Sequence, residues 1–137
     1  MMKDLFKIRL RLRHPSLDPS EVSNVFGMNP SFSWKAGGSA GTVVHKSGVW
    51  HGLLANGAGS AEYEEALKNS VLLLESRREW LNGVLKNEGE CDLVFAYWTE
   101  LEEGKICQTG FYPQLLGRLS NLNVGIQVEV WRDEKQE

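Results

Sequence analysis

The chain has 137 residues, 42% hydrophobic and 24% charged, with 15 Lys and Arg against 18 Asp and Glu for a net charge of −3. A domain of this size buries roughly two-thirds of its unfolded surface, so its core needs neither a disulfide nor a structural metal. The acidic balance argues against a protein defined by binding duplex nucleic acid, and no apolar run approaches the ~18 residues of a membrane-spanning helix.

The first residues turn charged at Lys3 and Asp4, too early for a secretory signal, so the expected compartment is the cytoplasm. From Phe6 to Arg13 apolar and cationic residues alternate without exception, the period of a strand with one buried face. Phe6, Ile8, Leu10 and Leu12 are assigned to the core. Lys7, Arg9, Arg11 and Arg13 then form a cationic ladder on the other face, and His14-Pro15 ends the strand. Asp18-Pro19-Ser20-Glu21 opens a short helix with a capping carboxylate, a proline at the first position and an acid three residues on; Gly27 suits its left-handed end.

Eight of the fourteen glycines fall between Gly27 and Gly59, where the texture changes. The chain around Trp34 reads as extended, and Ala36 to Gly41 reads as a flexible loop. Thr42–His45 and Val49–Ala55 read as a hairpin turning at Lys46-Ser47-Gly48, and Asn56-Gly57 as a further turn. Ser60 is placed as the cap of a long Leu-rich helical segment bearing Tyr63, Leu67, Ser70 or Val71, Leu74, Leu81 and Leu85 on one stripe. The segment is either one helix or two separated near Ser76. Cys91–Thr99 is apolar on both faces and predicts a central strand, with Lys105–Phe111 as its hairpin partner. Pro113 opens a third helix with Leu115, Leu116, Leu119 and Leu122, and Val124 to Val130 alternate as a final half-buried strand. Cys91 and Cys107 stand in no metal or redox spacing and read as reduced packing residues.

The order is strand, helix, two strands, helix, two strands, helix, strand. The expected fold is α+β: one domain over residues 1–131, a two-layer sandwich with a mostly antiparallel sheet and helices on one face, followed by a polar tail at 132–137.

The punctuation carries a resemblance as well. Leu17-Asp-Pro-Ser-Glu-Val22 opening a helix, Gly27-Met-Asn-Pro30, Trp34-Lys-Ala-Gly37, Gly48-Val-Trp50 and the final strand Leu122-Asn-Val-Gly-Ile-Gln-Val128 together make the chain, over about residues 5–131, similar to the bacterial domain-of-unknown-function family 4279. The resemblance implies a small soluble bacterial protein, with an immunity-type role, neutralising a toxin, as one expectation. It carries over no catalytic residue.

Candidate surfaces must therefore be weighed residue by residue. Ladder positions recur every ~6.6 Å, close to the spacing of phosphates along a single strand, so Lys7, Arg9, Arg11 and Arg13 with Trp98 or Trp131 on the same face could track a nucleic-acid backbone. The plainer reading pairs the ladder with acids such as Glu129 across the sheet. Trp34 and Trp50, beside the glycine-rich loop and accompanied by Lys35 and His51, are the expected wall of a binding groove. His14, His45 and His51 lack an accompanying carboxylate in a known ligand spacing, so no metal is assigned. The phosphate-loop and dinucleotide glycine patterns are incomplete at Gly37–Thr42 and Gly57–Ser60, and no serine or cysteine sits in a nucleophile motif. No cofactor is expected. The sequence thus favours a non-enzymatic module acting through a protein partner, with a single-stranded nucleic-acid binder and a small enzyme or metal protein as alternatives.

Overall fold

The alternating segment forms β1 (Leu5–His14), and in the computed structural model, which describes residues 5–37, 39–40, 43–99 and 110–132, it is the middle strand of the sheet. Phe6, Ile8, Leu10 and Leu12 are buried, as their period requires. α1 (Pro19–Phe26) begins where the cap predicts: the Asp18 carboxylate accepts the Ser20 N–H at 3.0 Å, and Gly27 closes the helix at φ 64°. There follow β2 (Phe32–Trp34), the small ribbon of β3 (Ser39–Ala40) and β4 (Val43–Val44), and β5 (Gly48–Ala58). Then come α2 (Ser60–Ser76), α3 (Arg78–Leu85), β6 (Glu90–Thr99), α4 (Pro113–Asn121) and β7 (Gly125–Arg132).

The main sheet runs β2-β5-β1-β6-β7, with β1 antiparallel to both of its neighbours, β2 antiparallel to β5, and β7 parallel to β6. The helices pack on one face. Leu67, Val71 and Leu74 of α2, Leu81 of α3 and Leu115 and Leu119 of α4 close over Ile8, Leu10, Leu93 and Phe95. The α+β class and one-sided helical layer expected from the pattern are the observed ones.

Several local expectations are corrected. β4 pairs with β3 and not with β5, whose edges are taken by β1 and, over Val49–His51, by β2. A ten-residue strand offers β5 far more pairing than two residues of β4 could. Gly48, expected in a turn, lies in β5 because the strand there passes the Leu17 backbone: a Cβ would stand 2.5 Å from the Leu17 carbonyl oxygen. Asn56 and Gly57 are likewise inside β5, opposite Lys7 and Phe6. The register shifts between Ile8 and Arg9, so that Leu54 is an extra residue and the alternation of β5 is broken there.

Ser60 is the first residue of α2 and not its cap; Gly59 precedes it at φ 83°, and Glu62 reaches back to accept the Ala58 N–H at 2.7 Å. The Leu-rich segment is two helices. Its break is at Arg77, whose Nε donates to the Val25 carbonyl at 2.8 Å and so ties the joint to the end of α1. Both Ser70 and Val71 are buried, with the Ser70 hydroxyl bonded to the Ala66 carbonyl at 2.8 Å. Arg118 of α4 forks onto Glu75 of α2, and that bond holds the Glu75 carboxyl below its ordinary range. β7 includes Arg132, which the sequence places in the tail. Its core-side alternation holds only at the start: Val124, just before the strand, is buried and Ile126 packs against the core, whereas Val128 and Val130 of this edge strand are 48% and 57% exposed. The expected strand at Lys105–Phe111 falls mostly, and Cys107 wholly, outside the described residues. Cys91 is buried, which pushes its thiol pKa up and leaves it a packing group.

Candidate functional site

Strand register decides which side chains share the helix-free face. Opposite Arg13, Arg11, Arg9 and Lys7 of β1 stand Glu90, Asp92, Val94 and Ala96 of β6 on one side and Val49, His51, Leu53 and Asn56 of β5 on the other. The two sides treat the ladder differently. Towards β6 and β7 it meets acids: Arg13 Nη2 lies 2.7 Å from Glu90 Oε2, Arg11 Nη2 lies 2.6 Å from Asp92 Oδ2, and Arg9 Nη1 lies 3.6 Å from Glu129 Oε1. Lys7 Nζ and the Arg9 guanidinium sit 5.3 Å and 6.0 Å from the Trp98 ring centre, and Trp98 stacks on Trp131. Half-exposed ion pairs of this kind stabilise by only ~0.2–1 kcal/mol each. Their larger effect is to balance charge along the ladder. Val94 and Ala96, flanked by the long side chains of Arg9, Lys7, Gln127 and Glu129, are buried on this face although none of the described helices covers it.

Towards β5 and β2 the ladder meets rings. Phe32 and Trp34 stand on the open face because they oppose His51 and Val49. The imidazole of His51 stacks on Phe32 at 4.1 Å between centres, that of His45 stacks on Trp34 at 4.5 Å, and Phe32 and Trp34 lie 5.7 Å apart with planes 18° from parallel. Burial and then the Arg11 and Arg9 charges lower the His51 pKa from its ordinary 6.5, against a smaller opposing pull from Glu129. Beside the rings lies a shallow depression of about 340 Å³ lined by Arg11, Arg13, Trp34, His45, Lys46, Ser47, Val49 and His51.

The groove expected from sequence is therefore split between two faces. Trp34 and His51 are brought together at one depression, with His45 of the adjoining loop stacked on Trp34. Trp50 is fully buried on the helix side, where it stacks on Phe26 and donates its indole N–H to Ser23 Oγ at 3.1 Å. Lys35 is exposed and does not line the depression. The rule that neighbours on a strand point to opposite faces separates Trp50 from His51, and this signal was available in the sequence. The contribution of Phe32 depends on the β2–β5 pairing and that of Arg13 on the β1–β5 pairing, neither of which was. His14 stands apart and accepts the Ser16 N–H at 3.0 Å; among the described residues no three His, Cys, Asp or Glu are grouped as metal ligands. No helix among them is long and apolar enough to cross a membrane.

Fold and face together define an α+β domain with a half-covered sheet whose open side carries paired charges and exposed rings. Residues 4–133 match the model of the domain of unknown function DUF4279, and the chain belongs to that family. No curated protein and no solved structure matches it.

Proposed function

We propose that this domain is a non-enzymatic binding module that docks a protein partner on the open face of its sheet. One observation carries the reading: the helix-free face presents Phe32, Leu53 and Trp131 at 47%, 37% and 50% exposure among arginines already balanced by carboxylates. Aromatic and arginine side chains are the residues that dominate protein interfaces, and paired charges lose less on desolvation than bare ones. An immunity-type role, in which the domain neutralises a toxic protein by covering it, is the specific form that a toxin gene beside this one would support.

A phosphate chain laid along the ladder would run beside Glu129, Asp92 and Glu90 in turn, and repulsion from all three makes single-stranded nucleic acid fit the face less well. Chemical cross-linking followed by copurification from the native host should yield a stoichiometric protein partner with the wild-type chain. The double variant Phe32→Ala, Trp131→Ala should lose it while staying folded. A monomer with no partner, or capture undiminished in the double variant, would overturn the reading.

A further inference from the structure

We infer that the depression between β1 and the His45–Ser47 loop recognises an acidic segment of the partner, seating an Asp or Glu carboxylate between Arg13 and Lys46 beside the Trp34 ring. The inference rests on the docking face proposed above and names the chemistry of its occupant. Charge complementarity is its basis. Among the described residues no acid lines this depression, whereas a second one, between β5 and α2, carries Glu62 and Glu65, and a third, between α1 and α3, carries Asp18, Glu21 and Glu79. In a chain of net charge −3, this is a locally positive hollow.

Two of its cations, Lys46 and Arg13, can take a further carboxylate. Lys46 is exposed and has no ion-pair partner among the described residues. Arg13 meets Glu90 through one terminal nitrogen, with both side chains about half exposed at 51% and 49%. A guanidinium has five N–H donors, so a second carboxylate can be bound without displacing the first. The floor is the buried Val49 and one wall is the Trp34–His45 stack, which together exclude water from one side of the seated carboxylate and strengthen its pairing. The unpaired positive charge lies at the Arg13 end, where Lys46 stands, because Arg13, Arg11 and Arg9 each already meet one carboxylate. A short acidic stretch fits that arrangement better than an extended polyanion.

The test is a titration of the isotope-labelled full chain with hexaglutamate peptide at low ionic strength, read by nuclear magnetic resonance. The Trp34 indole N–H and the His45 ring signals should shift saturably. The variant Arg13→Glu, Lys46→Glu should weaken binding about tenfold or more, and Lys68→Glu, a charge reversal at an exposed position of α2, should leave it unchanged. Absence of a shift at Trp34 and His45, the same affinity in the charge-reversed variant, or a response to a short oligothymidylate in place of hexaglutamate would overturn the inference. A native partner captured equally by wild-type and charge-reversed protein would overturn it too while leaving the docking face standing. Hexaglutamate binding with no protein partner in the host would instead overturn the docking reading and leave the anion site.

Discussion

The two faces of one sheet are built from the same strands, yet they obey different rules. On the helix side, Ile8, Leu10, Leu12, Leu93 and Phe95 are all but inaccessible to water and interlock with four helices. Such positions are selected by volume, and their energy comes from the apolar area removed from water. On the open side the charged residues of β1 and β6, around the buried Val94 and Ala96, are held by partly exposed ion pairs and ring contacts, where each contact is worth little to folding. A sheet face whose side chains contribute little to stability is free to be shaped by what it binds.

Leu10 and Arg11 put this contrast to the hardest test, since they are adjacent in the chain and point to opposite faces. Leu10→Ala should destabilise the fold by ~2–5 kcal/mol in urea unfolding, and Arg11→Ala by less than about 1 kcal/mol. Comparable losses would show that the open face is part of the folding core. Gly52→Ala comes next, at ~1–3 kcal/mol. The new Cβ would stand 2.2 Å from the Trp50 ring, which is buried and hemmed in by Phe26, and the change should also appear in tryptophan fluorescence. Trp131→Ala should change the unfolding free energy by less than about 1 kcal/mol while reducing partner capture. A large loss of stability there would mean that the exposed rings serve the fold.

The smallest effect is electrostatic. His51 should titrate below the ordinary imidazole value of 6.5, and Arg11→Met should move it upward. Because its folded-state pKa lies below the unfolded one, His51 contributes stability that is present above 6.5 and lost as pH falls through the lowered value. Proton resonances of the ring, followed through an acid titration, would check both statements, and a midpoint unmoved by Arg11→Met would detach the ring group from the ladder.

Much of this was legible in the chain. The alternation of residues 6–13, the Asp18-Pro19 cap and the leucine stripes specify elements through local periodicity and hydrogen bonding, and those elements appear where expected. Turn glycines were misleading because glycine marks both tight turns and close backbone approach, and at Gly48 the second reason applies. The site was half legible. Trp34 and His51 were identifiable as polar-aromatic companions, but Trp50 was placed with them by adjacency in sequence, and adjacency in a strand separates faces.

By itself, the sequence determined the α+β class, the identity of the buried positions on β1 and the existence of a cationic ladder, because each rests on a period of two or on contacts within a few residues. Only the tertiary structure decided that β5 and β6 both flank β1, and hence that the ladder is balanced by Glu90, Asp92 and Glu129 on one side and bordered by Phe32, Trp34, His45 and His51 on the other. Partner strands are chosen by the burial of the whole core, a sum over residues far apart in the chain, and no local pattern records that choice.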